Sequence, residues 1–349
     1  MKVGLLSDGR LLLAERPEPT PSRGELTVRL AACGICGTDL EKLRGNYSTA
    51  GILGHEAVGA VDGIGEGVTG FSVGDRVFVH HHVPCYACPV CRRGAYTFCP
   101  EYGRSNLDPG GFAERFRVSA EHLRKQAVLP LAAGLRWEEA ALLEPAACAL
   151  TALRSVGFAG GDRVVILGLG PVGLLYARLA HAIGAGWIAG TELSALRRDA
   201  ALRGGVQVVA DPQDPGAVRK MVREGTDGTG ADLVVVATGA PAAVDLAGDL
   251  VRRGGTVNLF GLPHAGTHLS MDLQQLYLHG VRIVPTYATT ERELSDVHAL
   301  AASGRLPLRD LVSHRIPLER IDEAFAVAAD TSQSLKVVVT GPAFTPGSV

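Results

Sequence analysis

From Gly161 onward the chain alternates short apolar runs with amphipathic ones. RVVILGLG, VGLLYARLAHAIGA, WIAGTE, SALRRDAALRGG and VQVVA follow one another, and the pattern continues through AVRKMVREGT, ADLVVVATG, AAVDLAGDLV and GTVNLFG. Runs that are apolar throughout belong to strands covered on both faces, and the helical patterns between them supply parallel crossovers. The alternation predicts an α/β fold with a doubly wound parallel sheet.

Residues 1–150 read differently. TVRLAACGI, AVGAVDGIG and DRVFVHH are short strand patterns set among frequent Gly and Pro, the mark of a β-rich, loop-heavy domain. The Ala/Leu-rich helical stretch EEAALLEPAACALTALRSV marks the change of character. The tail, LRDLVSHRIPLERIDEAFAVAADTSQSLKVVVTG, reads as a helix between two short strands that return to the first domain. The expected division is therefore 1–150, 151–292, and a segment 293–349 that rejoins the first unit.

Composition removes several function classes. Hydrophobic residues make up 46% and charged residues 20%, with a formal net charge of −2, so no broad basic surface for nucleic acid is expected. The apolar stretch in MKVGLLSDGRLLLAERP is broken by Ser7, Asp8, Gly9 and Arg10, too short for a signal segment. No run approaches the roughly 18 apolar residues of a membrane helix. The expectation is a cytoplasmic protein with no membrane partner, whose thiols stay reduced.

VVILGLGPVGLL sets Gly168, Gly170, Pro171, Val172 and Gly173 in a G-x-G-x-x-G turn that ends a strand and opens a helix. Gly168 allows the tight turn, Gly170 lets the backbone approach a pyrophosphate, and Gly173 lets helix and strand pack closely, with free N–H groups facing the phosphates. Glu192 lies nineteen residues beyond Gly173, at the end of the next strand. A carboxylate there accepts from ribose hydroxyls and repels a 2′-phosphate, which favours NAD over NADP. Arg197 and Arg198 keep NADP open, because a guanidinium accommodates that phosphate.

Cys85, Cys88, Cys91 and Cys99 follow the spacing C-x2-C-x2-C-x7-C. Four thiolates on so short a loop can close a tetrahedral cage, and Zn2+ fits it best. The alternatives are a pair of disulfides, against which the reduced compartment argues, or an iron–sulfur cluster, for which no electron-transfer partner is evident. A closed cage is not a place for chemistry. A second set is better suited: Cys36 and His55 with the carboxylates Glu56 and Glu144 could form an open site with a position for water or substrate. A redox CxxC pair of Cys33 and Cys36, or a hydrogen-bonded His–Glu pair, are the plainer alternatives.

On these residues the chain resembles the zinc-dependent medium-chain dehydrogenase/reductase family. GHEAVGAVDGIGEGV fits that family's signature G-H-E-x2-G-x5-[GA]-x2-V through Gly54, His55, Glu56, Gly59, Gly65 and Val68. The four-cysteine lobe, the glycine turn and LVSHRIPLERIDEAF follow in family order. CGICGTD and the Glu-Pro dipeptide are closest to the sorbitol (polyol) and threonine dehydrogenase branch. The resemblance implies a GroES-like catalytic domain and a Rossmann coenzyme domain. It also implies two zinc ions per chain, one catalytic and one structural, and a homo-oligomer, dimer or tetramer. The reaction implied is hydride transfer between NAD and the secondary hydroxyl or ketone of a small polyol, sugar or amino alcohol.

By the same resemblance Cys36 and His55 bind the catalytic zinc, with Glu144 as third ligand or partner of its water and Glu56 as an exchangeable carboxylate close by. Asp39 accepts the second ring N–H of His55, and Thr38 carries the substrate proton outward. Cys33 is expected in a buried strand, and Cys148 in the core or beside the nicotinamide. Zinc lowers the pKa of bound water from about 15.7 to about 7. A similar gain for an alcohol is on the order of 12 kcal/mol of alkoxide stabilisation.

Two departures from the family stand out. Many relatives carry a histidine five residues after the zinc cysteine, where this chain has Glu41. Sorbitol dehydrogenases carry an Arg-Tyr pair where this chain has Thr286 and Tyr287, which argues against a simple sorbitol-like binding mode. His80, His81 and His82 form a run that strand alternation would send to opposite faces, so it is read as non-ligating. A non-catalytic dinucleotide-binding protein and a zinc-free quinone or enoyl reductase are the other readings. Joint retention of Thr38, Cys36, His55 and Glu144 argues against the first, and both metal sets argue against the second.

Overall fold

A computed structural model describes residues 1–46, 51–262, 266–268 and 272–346. The chain divides into two units, one of residues 1–147, 289–330 and 336–349, the other of 148–288 and 331–335. The breaks thus fall a few residues before those read at 150 and 292. A single long helix, Leu143–Val156, carries the chain across the first of them.

The second unit holds a six-stranded sheet, parallel throughout. Its spatial order is Val208–Ala210, Trp187–Thr191, Arg163–Leu167, Ala231–Val236, Val251–Leu259, Arg282–Pro285. In chain order this is 3-2-1-4-5-6, so the path reverses direction beside Arg163–Leu167. A ligand crevice opens outside the carboxyl ends of the strands at such a reversal. Helices Pro171–Ala182, Ala195–Arg203, Pro215–Gly225 and Pro241–Leu250 alternate with the strands. The apolar faces of Pro215–Gly225 and Pro241–Leu250 share a core with Val165, Leu167, Val234 and Val236, all buried.

In the first unit a mixed sheet runs Val312–Pro317, Lys336–Thr340, Leu26–Gly34, Glu56–Ile64, Arg76–Val79, Val128–Pro130, with Arg115–Val118 also paired to Leu26–Gly34. The tail strands are built into this sheet through Lys336–Thr340, which pairs antiparallel with Leu26–Gly34. Its core gathers Leu26, Val28, Leu30, Phe112, Phe116 and Phe325, and the Phe112 and Phe325 rings meet edge to face with centroids 5.6 Å apart. Register matters for the site: Gly34 lies directly beside Glu56 on one side and Val338 on the other. No helix among the described residues is long and apolar enough to cross a membrane.

Candidate active site

The Leu26–Gly34 strand ends two residues before Cys36, which caps the short helix Gly37–Leu43. The Asp39 carboxylate folds back over that turn, its Oδ2 accepting the Cys36 N–H at 3.0 Å, which holds the backbone that carries the thiol. Asp39 is fully buried and its Oδ1 has no hydrogen-bond partner. That oxygen lies 3.6 Å from His55 Nδ1, close enough for charge attraction and too long for the hydrogen bond expected from sequence.

Ligand atoms of Cys36, His55 and Glu56 all lie within 4.8 Å of one another. Glu144 is buried and stands outside that set, yet its charge acts on His55. Burial opposes the His55 imidazolium, but Asp39, Cys36 and Glu144 together outweigh it and raise the pKa to about 10. One buried carboxylate oxygen without a hydrogen-bond partner, Asp39 Oδ1, sits beside a thiol and an imidazole, and the Glu56 carboxylate faces the same point. This donor set draws a cation, and its soft and borderline members suit Zn2+.

Sequence reasoning missed Lys336. Its Nζ lies 2.6 Å from the Glu56 carboxylate and donates to the Ile35 carbonyl at 2.8 Å, and both charged side chains are sealed from solvent. Burial works against the ammonium, yet Glu56, Cys36 and Glu144 raise its pKa above the ordinary lysine value. Gly34 makes room for the pair, because a Cβ there would fall 1.8 Å from Glu56 Oε2. The available signal was a lysine opening the otherwise apolar strand KVVV, a place where a charge needs a partner.

Thr38 is half-buried in the first turn, and its hydroxyl has no hydrogen-bond partner among the described residues. Glu41 accepts from Arg44 Nη1 at 2.6 Å and from Asn46 Nδ2. Cys33 is fully buried in its strand; Cys148 is half-buried on the long helix.

The run His80–His82 lies outside any strand, because Arg76–Val79 ends just before it. Alternation therefore does not apply. The chain bends at His81, and the three rings crowd together, His80 to His81 at 5.3 Å and His81 to His82 at 4.1 Å between centroids. None of the three belongs to a candidate metal cluster among the described residues.

The four-cysteine lobe also fits a metal. Sγ of Cys85 and Cys91 are 3.9 Å apart, as are those of Cys88 and Cys99. A tetrahedron with bonds of about 2.3 Å has edges of about 3.8 Å. Backbone N–H groups point at the sulfurs: Ala87 and Cys88 donate to Cys85, which lowers its pKa to about 6. Lys125 ties the lobe to the body by donating to the Cys85 carbonyl at 3.0 Å, and Arg292 lies over the rings of Tyr86 and Tyr96.

In the second unit Gly168 turns at φ +93°, and Gly173 has no room for a side chain, since a Cβ would lie 2.1 Å from the Gly168 carbonyl. Gly170 caps the helix and Pro171 opens it, so the N–H groups of the first turn are free. Glu192 accepts from Leu169 N at 3.1 Å, Leu193 N at 2.9 Å and Ser194 N at 3.0 Å. Three of its roughly four acceptor positions are thus in use, which leaves less for a ribose than the sequence suggested. Arg197 is buried, its Nε donating to the Ser334 carbonyl and its Nη1 lying 3.6 Å from where a Gly170 Cβ would be. It reaches the glycine turn, while Arg198 donates to the Glu192 carbonyl. Thr286 Oγ1 accepts from Asn258 Nδ2 at 2.6 Å, and Tyr287 is exposed.

Comparison with known proteins bears on both units. Residues 22–129 match the alcohol dehydrogenase GroES-like domain and residues 171–303 match the zinc-binding dehydrogenase domain. The sorbitol dehydrogenase of Halalkalibacterium halodurans is 31% identical over 95% of this chain and 96% of its own length. The chain belongs to the zinc-dependent medium-chain dehydrogenase/reductase family. The L-threonine 3-dehydrogenase of Pyrococcus abyssi is 34% identical over 90% of each chain. The alcohol dehydrogenase TADH from Thermus sp. ATN1 superposes with a TM-score of 0.87 at 30% identity, over 98% of this chain and all of that one. The protein is accordingly an alcohol dehydrogenase-type oxidoreductase with a GroES-like and a Rossmann-like domain, acting on small-molecule alcohols.

Proposed function

We propose that this enzyme oxidises the secondary hydroxyl of a small polyol, sugar or amino alcohol reversibly, with NAD as hydride acceptor and two zinc ions per chain. The observation that carries the reading is the convergence of Cys36, His55 and Glu56 beside a buried Asp39 oxygen that has no hydrogen-bond partner. Sorbitol and threonine dehydrogenases among the relatives support a secondary carbinol flanked by polar groups.

Zinc, when bound, acts as a Lewis acid that eases loss of the hydroxyl proton and polarises the carbonyl in reverse. Cys36 and His55 hold it. Asp39 holds the backbone at Cys36, and Lys336 restrains Glu56, whose carboxylate is within reach of the same point. The unengaged Thr38 hydroxyl takes the substrate proton outward. The helix beginning at Pro171 and the Arg197 guanidinium receive the coenzyme pyrophosphate, and Glu192 keeps a negative charge fixed near the adenosine ribose. The Cys85, Cys88, Cys91 and Cys99 cage holds the second zinc for structure alone.

None of the seven cysteines is paired in a disulfide, which supports a reducing, cytoplasmic setting. The sheet edge at Arg282–Pro285 and the exposed Leu273, Tyr277 and Leu278 of the neighbouring helix support a homo-oligomer.

Elemental analysis and coenzyme kinetics test the proposal together. Native protein should carry two zinc ions per chain. Cys36→Ser should lose activity with the fold retained, and Cys88→Ser should weaken folding. A panel of secondary alcohols should give a higher kcat/KM with NAD+ than with NADP+, and Glu192→Ala should narrow that gap. Zinc-free active protein, or preference for NADP+, would overturn the corresponding part.

A further inference from the structure

The histidine run at the end of the Arg76–Val79 strand has a place in the candidate site that its neighbours' hydrogen bonds reveal. His80 Nε2 is 3.3 Å from the Thr289 carbonyl, and His82 Nδ1 contacts the Ser105 carbonyl. Both nitrogens of His122 are used as well, one with Ser119 Oγ at 2.8 Å and the other with the His81 carbonyl at 3.0 Å. His80 Nδ1 is buried without a partner, but of these four only the His81 ring makes no hydrogen bond among the described residues. Its own Nδ1 is buried without a partner. Its Nε2 is also unpaired, yet is not among the enclosed atoms, so it reaches accessible space although the residue is only 8% exposed.

That ring lies against the candidate metal centre, its centroid 4.9 Å from that of His55 at an interplanar angle of 47°. Even so, His81 is outside the set of Cys36, His55 and Glu56 whose donors converge within 4.8 Å. It is therefore next to the metal position without converging on it. The ring is also held still: His80 meets it edge-on, His82 stacks at a tilt, and His122 grips its backbone carbonyl. A buried polar ring left unpaired costs stability, and a rigid one gives a ligand an orienting contact at little entropic cost.

We infer that His81 is a specificity-determining residue: its open ring nitrogen hydrogen-bonds a hydroxyl or amine on the carbon next to the reacting carbinol. The inference rests on the proposed reaction and narrows its substrate to vicinal diols and amino alcohols. Neutral imidazole carries one donor and one acceptor, so either group can pair with it, whereas a methylene cannot. A monofunctional alcohol leaves the ring nitrogen unpaired.

The test compares the zinc-loaded enzyme with 2,3-butanediol and with 2-butanol as substrates. Wild type should favour the diol. His81→Phe keeps an aromatic ring against His55 and removes both nitrogens. It should lower kcat/KM for the diol by about 10- to 100-fold while changing that for 2-butanol less than about 3-fold, with zinc content unchanged. His81→Gln should recover part of the preference and guards against a folding defect in the first variant. An equal fall on both alcohols, or loss of zinc, would make His81 a structural residue or a ligand and overturn the inference. Wild type that oxidises both equally well overturns it while leaving the proposed reaction intact. Wild type that oxidises neither with either coenzyme overturns both.

Discussion

Thr38 and Lys336 carry the two clearest consequences at the level of single residues. The turn at Cys36 is capped by Asp39, so the Thr38 hydroxyl is not needed to hold it. Thr38→Val, which deletes the hydroxyl and keeps the shape, should lower turnover by roughly 10^2- to 10^4-fold, the usual range for a lost acid–base contribution. Thr38→Ser should be mild. Turnover followed across pH decides the matter, and a near-wild-type profile for Thr38→Val would remove the hydroxyl from the proton path. Lys336 is different in kind, since its charge is locked in the sheet against Glu56. Lys336→Met leaves a buried carboxylate without a partner and should cost about 3–5 kcal/mol of stability. Adding Glu56→Gln should return most of that loss, because the pair's attraction mainly offsets its own desolvation. Urea unfolding of the single and double variants measures both numbers. A single variant destabilised by less than about 1 kcal/mol would mean the ion pair is not the strut described here.

At the level of elements, the end of the Arg76–Val79 strand sets a pH response. Burial lowers the pKa of His80 to about 3 and that of His82 to about 4, and lowers that of His122 as well. In the unfolded chain these rings titrate near the ordinary value of about 6.5. Between those limits the unfolded state binds more protons than the folded one. The contribution of these three rings should therefore be full above about pH 6.5 and fall as pH drops toward 4, by up to about 1.4 kcal/mol per unit for each ring. Chemical denaturation over that window, with zinc content followed in parallel, checks it. A flat profile would contradict it. The same segment shows where sequence reading runs out. DRVFVHH extends a strand pattern into the histidines, but pairing with Val128–Pro130 stops at Val79 and the chain bends at His81. The glycine turn was legible for the opposite reason. Gly168 and Gly173 are demanded by local backbone geometry that no distant partner can change. Lys336 was not legible because its partner lies 280 residues away, and only the register of Lys336–Thr340 against Leu26–Gly34 brings them together.

For the molecule as a whole, the α/β alternation and the two cysteine-bearing sets could be read directly, because period and spacing are local properties. The return of the tail to the first sheet was legible as a change in pattern. The insertion of Lys336–Thr340 between Leu26–Gly34 and Val312–Pro317 was not, since strand order depends on packing across the unit. Neither could the sequence show that Glu192 is already engaged by three backbone N–H groups. The proposed reaction unites these features: a hydride passes from a secondary carbinol to the nicotinamide. Its most direct measurement uses 2,3-butanediol deuterated at the carbinol carbons, zinc-loaded enzyme and NAD+. Mass spectrometry should find one deuterium transferred to the coenzyme for each ketone formed. Ketone formation with an undeuterated coenzyme, or no transfer to either NAD+ or NADP+ from any secondary alcohol tried, would contradict it.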